Sequence, residues 1–184
     1  MISRYHKIAT EDNLIRKELA WPLWHMPEWF EAYTAISAKN KHLVKVYSAA
    51  EDGLSLEMEH LDILCTLDKL FHDDGNYYRV TKDLIRKIMI CVSQTMITDV
   101  EYAQELKNDQ YFVHNDLTMD NIVVTKDLEI KIIDPDSYVF CWDMSEQSKY
   151  YETITGLGFR IQRHYAKKNR QNSISDYLDS TQKM

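Results

Sequence analysis

The stretch that most narrows what this chain can become runs from Tyr111 to Tyr138, YFVHNDLTMDNIVVTKDLEIKIIDPDSY. It holds three short β-rich runs, Tyr111 to His114, Asn121 to Val124 and Glu129 to Ile133, with a polar turn at Lys126-Asp127 between the last two. A hairpin presents the residues at its open end side by side, and here those residues are Asn121 and Asp134. An amide oxygen and a carboxylate aimed at one point are hard donors, suited to Mg²⁺ held together with substrate phosphates. Asp116, a few residues before Asn121, would stand beside them as a base. Each residue also has a plain structural use: Asp116 and Asn121 in turns, His114 in the core, Asp134 opening a proline turn. It is their joint spacing that points to chemistry.

That spacing, His114, Asp116 and Leu117 as H-x-D-L followed by Asn121 and Asp134, resembles the catalytic loop and metal-binding aspartate of protein kinases. HNDL, NIVV and IIDPDS are also similar to the corresponding stretches of aminoglycoside and choline phosphotransferases. The resemblance implies an α+β chain with a reduced two-lobed protein kinase-like fold. Its small antiparallel-sheet N-lobe would cover residues 1–59 and its mainly helical C-lobe residues 60–168, with a polar, disordered tail at 169–184. It further implies ATP- and Mg²⁺-dependent phosphoryl transfer to a protein or small-molecule hydroxyl. Asp116 is then the catalytic base, His114 the residue that braces the loop, and Asn121 and Asp134 the Mg²⁺ ligands.

Taken in order, the chain opens with Ile2 to Ala9 and Leu14 to Leu19 around the polar segment Thr10 to Asn13, which reads as a β-hairpin placing Ile15 and Lys17 on one face. In the resemblance Lys17 matches the lysine that contacts the ATP phosphates, with Arg16 or Lys7 as alternatives. Trp21 to Phe30 packs three tryptophans and two prolines before a helix starting near Pro27 and running to about Lys39, with Trp29, Phe30, Tyr33, Ile36 and Ser37 as its stripe. Glu31 on that helix matches the glutamate that pairs with the ATP lysine. His42 to Ala49 and Leu54 to Glu59 read as two strands joined at Glu51-Asp52-Gly53. Residues 57 to 60, from Glu57 to His60, would be the hinge whose backbone reads adenine. A short helix from Leu61 to Leu70 follows. A longer one is capped by Thr81, with Ile85, Ile88, Met89, Val92, Met96 and Val100 as its apolar stripe. Tyr150 to Lys168 closes the chain with one or two helices.

A chain of 184 residues, 45% of them hydrophobic, can bury one good core and support two small lobes. Cys65, Cys91 and Cys141 are widely spaced, with no CxxC pair, and read as free thiols in a reducing compartment. No segment reads as a signal peptide or approaches 18 apolar residues, so a cytoplasmic protein without membrane association is expected. The net charge of −7 argues against nucleic acid as a partner. The basic run Arg160, Arg163, His164, Lys167, Lys168 and Arg170 reads as a solvated helix face.

Three departures from the kinase pattern stand out. There is no glycine-rich phosphate loop, since the glycines are Gly53, Gly75, Gly156 and Gly158. Pro135-Asp136 follows Asp134 where protein kinases carry Phe-Gly, and Asn115 replaces the arginine that holds a phosphorylated loop. These features leave open constitutive or partner-activated catalysis, and also a pseudokinase that keeps the fold and acts through a partner protein.

Overall fold

The computed structural model describes residues 8–11, 14–23, 25–72, 80–106, 110–142, 152 and 154–167. Among the described residues it is a mixed α+β chain built on small antiparallel sheets and four α-helices. Strand β1 (Ile8–Glu11) and β2 (Leu14–Glu18) form the expected hairpin, with Ile8 opposite Lys17. The expected strand over residues 2–7 and the terminal tail lie outside the described residues. Thr10 and Glu11, expected in the turn, belong to β1.

Helix α1 (Glu28–Lys39) begins one residue after Pro27, where a residue with fixed φ and no N–H costs the first turn nothing. It buries Trp29, Ala32, Tyr33 and Ile36, and leaves Glu31 on its exposed side. Strand β3 (Val46–Ala49) and β4 (Ser55–Glu59) complete a four-stranded antiparallel sheet in the order β1-β2-β4-β3. The strand expected from His42 is shorter, because residues 42–44 are drawn to a different partner. Val44 N–H donates to the Ile132 carbonyl at 3.0 Å, Ile132 N–H donates to the His42 carbonyl at 2.7 Å, and Leu43 bridges Ile132 in parallel.

Beyond the sheet, the helix expected over Leu61 to Leu70 splits. Strand β5 (Ile63–Thr66) comes first and α2 (Leu67–His72) after it. β5 pairs with β7 (Ile122–Thr125), so the backbone groups of this run are satisfied by a ladder that a local helix reading could not foresee. Helix α3 (Lys82–Glu105) starts as expected, with the Thr81 hydroxyl accepting from Leu84 N–H at 3.1 Å. Its stripe is rotated from the expected one: Ile88, Cys91, Val92, Thr95, Thr98 and Asp99 are buried. The polar members are satisfied, Thr95 by Asn40 at 3.0 Å and Asp99 by the Tyr138 hydroxyl at 3.3 Å.

Strand β6 (Tyr111–His114) pairs with β9 (Tyr138–Cys141), a strand not expected from the sequence, and β7 pairs with β8 (Ile130–Ile132). Helix α4, over 154–167, closes the described chain; it buries Ile154, Leu157 and Ile161 and exposes Arg160, Arg163 and Lys167. α1 packs on α3, β3 and β9, so one apolar core joins the first sheet to the rest. Cys65, Cys91 and Cys141 are all buried. Among the described residues no helix is long and apolar enough to cross a membrane.

Candidate functional site

The β7–β8 hairpin sets the site. Ile122 stands opposite Ile132, and Ile133 N–H donates to the Asn121 carbonyl at 3.0 Å, so Asn121 and Asp134 meet at the open end. Asp134 takes a left-handed conformation, φ 68° and ψ 55°, which aspartate tolerates better than most residues. A single 3₁₀ turn over Pro135–Ser137 follows, closed by Ser137 N–H on the Asp134 carbonyl at 3.0 Å. The Ser137 hydroxyl also donates to Asp134 Oδ2 at 3.0 Å.

The loop carrying Asp116 is tied to this turn and to the end of the hairpin by backbone and side-chain hydrogen bonds. Asn115 N–H donates to the Ser137 carbonyl at 2.9 Å, and Leu117 is fully buried beneath it. His114, buried at the end of β6, accepts at Nδ1 from Asp116 N–H at 3.3 Å, so its proton lies on Nε2, which donates to the Ile133 carbonyl at 3.2 Å. Burial pushes the His114 pKa down, outweighing the Ile133 carbonyl and the nearby carboxylates that pull it up, so the ring is neutral at pH 7. His114 thus makes two hydrogen bonds that link the loop to the residue after β8. Asn121 Nδ2 donates to the Asp116 carbonyl at 2.7 Å and to Asp116 Oδ2 at 3.2 Å. The amide nitrogen is therefore committed to Asp116, and Oδ1 is the amide's remaining donor atom for a cation. Asp116 itself is exposed.

From 117 residues upstream, Lys17 enters the same place. In register with Leu56, it shares the buried face of the first sheet with Ile15 and Met58, and its ammonium bonds both Asp134 Oδ1 and Asp136 Oδ1. Burial raises the Asp134 carboxyl, but the Lys17 ammonium and the Ser137 hydroxyl more than offset this and hold it below its ordinary value.

One expected contact is corrected. Lys17 does not pair with Glu31: among the described residues its ion-pair partners are Asp134 and Asp136. α1 turns Trp29 inward, where Nε1 donates to the Tyr138 carbonyl at 2.8 Å, and this leaves Glu31 outside, close enough to Tyr102 that its charge adds to burial in raising that phenol. The Glu57 side chain, at the start of the stretch expected to read adenine through its backbone, turns outward. It stands opposite Arg16, on the exposed face away from Lys17, and accepts from the Ser48 hydroxyl at 2.6 Å. His60 is exposed just past β4. The acid at the end of that strand that does reach inward is Glu59, which meets Lys131 at 3.5 Å.

Asp136 is the site residue that sequence reasoning misses. A signal for it exists in the chain: two aspartates flanking a proline, held at a fixed spacing. It also lines a cleft of about 480 Å³ walled by Leu19, Trp21, Trp29, Phe140 and Trp142. Among the described residues no three His, Cys, Asp or Glu side chains group as a metal site; the expected ligands, Asp134 and Asn121, are one carboxylate and one amide oxygen. Such a pair fits a hard cation that takes its other ligands from phosphate oxygens and water.

No family model matches the sequence, and a search of curated proteins returns no match, so the reading of the site rests on its geometry.

Proposed function

We propose that this chain is a reduced kinase-like phosphotransferase that moves the γ-phosphoryl group of ATP to a hydroxyl of a protein or small molecule. In this reading the sheet β1-β2-β4-β3 with α1 is the smaller lobe, and α2, α3, α4 and the remaining strands form the larger one. The observation that carries it is that two bonded pairs, Asn121 with Asp116 and Lys17 with Asp134, are set on neighbouring backbone, where Ile133 N–H donates to the Asn121 carbonyl.

The role of each group follows from its position. Asp116, exposed and steadied by Asn121, would accept a hydrogen bond from the acceptor hydroxyl, orient it and take its proton as the bond to phosphorus forms. Lys17, on the buried face of β2, would meet the nucleotide phosphates as a point charge. Asn121 Oδ1 and Asp134 would hold Mg²⁺, which supplies neutralisation of charge on the phosphate oxygens. His114 keeps the loop in register with Asp134 through its paired hydrogen bonds. The buried thiols suit a reducing, cytoplasmic setting.

A second reading, a scaffold that acts through a partner, is favoured by the engagement of Asp134 with Lys17 and by the missing glycine-rich loop. Phosphoryl transfer separates the two. At saturating Mg·ATP, Asp116→Ala should lower turnover by about 10² or more with nucleotide affinity little changed. Transfer that survives in the variant refutes the role of Asp116, and a parent with no transfer to any acceptor favours the scaffold.

A further inference from the structure

We propose that Asp136 is the residue that positions Lys17 for the nucleotide phosphates, in place of a helix glutamate; this rests on the phosphotransferase reading above. Asp136 has 6% of its side chain exposed and Lys17 has 7%, and among the described residues Lys17 is the ion-pair partner that Asp136 has. A carboxylate taken so far out of water is costly to keep unless a cation compensates it. Asp134 is the partner that, in the reading above, Lys17 must share with the cation. Its side chain is also the more open of the two, at 25%.

The backbone separates the two duties. Asp134 and Asp136 lie on either side of Pro135 in one 3₁₀ turn, itself closed by two Ser137 contacts on Asp134. Their carboxylates are therefore presented to Lys17 from a fixed frame. When Asp134 turns to a cation, Lys17 can leave it and remain anchored on Asp136, still within the site. The acids in the first turn of α1 do not compete for this role, since Glu28 and Glu31 are both exposed.

The test is a double-mutant cycle on nucleotide affinity, measured by calorimetric titration of ATP with and without Mg²⁺ on the full chain. Asp136→Asn, which is close to isosteric, should weaken Mg·ATP binding by about tenfold, the scale of one charge-assisted hydrogen bond, and weaken metal-free ATP binding less, because Asp134 still holds Lys17 there. Lys17→Met should weaken Mg·ATP binding to the same degree, and the double variant should bind no worse than Lys17→Met alone. Glu31→Gln should bind as the parent does. Asp136→Glu keeps the charge but displaces it by one methylene, so its affinity should fall between parent and Asp136→Asn; it carries the test should Asp136→Asn fail to fold. A merely structural Asp136 would give additive losses, or none, and either result overturns the role while leaving the phosphotransferase reading in place. A folded parent that binds no ATP under either condition overturns the reading and the role together.

Discussion

Replacing Lys17 with methionine should cost the fold more than any surface ion pair could. The ammonium touches one oxygen of Asp134 and one of Asp136, so those oxygens stand within about 6 Å of each other if each contact is of ordinary length. With the cation gone, two carboxylates face each other at that distance in a largely buried pocket. At an effective dielectric of about 20 their repulsion is roughly 3 kcal/mol. Losing one partner of a buried charge cluster generally costs about 3–5 kcal/mol. Asp134 is a quarter exposed and can recover part of this through water or by taking up a proton, which brings the expectation to about 2–4 kcal/mol. For a chain of this size that is a fall in Tm of about 5–15 °C. Urea denaturation followed by tryptophan fluorescence would measure it, Trp29 being buried beside Tyr138. Adding Asp136→Asn to Lys17→Met should return part of the loss, since it removes one of the opposed charges. A loss below about 1 kcal/mol would put the cluster in the class of solvated surface pairs and refute the reasoning.

Further outcomes follow from the same structure. Asp134→Asn should abolish the Mg²⁺-dependent part of ATP binding; equal Mg·ATP affinity in variant and parent, by calorimetry, would remove Asp134 from the metal site. His114 is neutral in the fold with a depressed pKa, so between its folded value and about 6.5 the unfolded chain binds more protons and stability falls as pH drops. His114→Gln, less stable at pH 7, should therefore show a flatter stability profile from roughly pH 6.5 to 4.5, above the ordinary carboxylate range. Gly53 sits at φ +68°, where an added Cβ would lie 2.9 Å from the Leu23 backbone nitrogen, and Gly53→Ala should cost about 2 kcal/mol by thermal denaturation.

What the sequence discloses and what it withholds divide along contact range. α1 is legible because Pro27 and the Trp29, Tyr33, Ile36 stripe are local signals, and the β7–β8 hairpin because alternation and a polar turn are local too. The choice of Lys17 over Arg16 and Lys7 follows the resemblance to the kinase lysine strand, and the structure puts that residue on the inward face. Its partner is not legible. Glu31 stands out by its distance along the chain, whereas the actual partners lie 117 and 119 residues away and depend on how α1 rotates Trp29 inward. β5 looks helical because Leu61, Leu64, Leu67 and Leu70 recur with near-helical spacing, and only the free edge of β7 makes 63–66 a strand. β9 escapes notice because Asp134-Pro135-Asp136 reads as the end of the site rather than as the turn before another strand. Asn40, Thr95 and Asp99 carry no sequence mark of burial, since a polar residue goes inside only when a partner from another element meets it.

The crossing of residues 42–44 over β8 bears on how such a molecule can breathe. His42 and Val44 both hydrogen-bond Ile132, the His42 ring bonds the Ile130 carbonyl at 2.9 Å, and Ile132 is two residues from Asp134. The connector between α1 and the first sheet is thereby stitched into the hairpin that carries the candidate metal ligands. Opening the sheet away from that hairpin would break the seam, so the two belong to one cooperative unfolding unit. Amide exchange at Val44 and Ile132 should accordingly be slow and matched. On the phosphotransferase reading, a widening that admits a nucleotide would pivot about this seam, with the β1–β2 hairpin, at the far edge of the sheet, sweeping the larger arc.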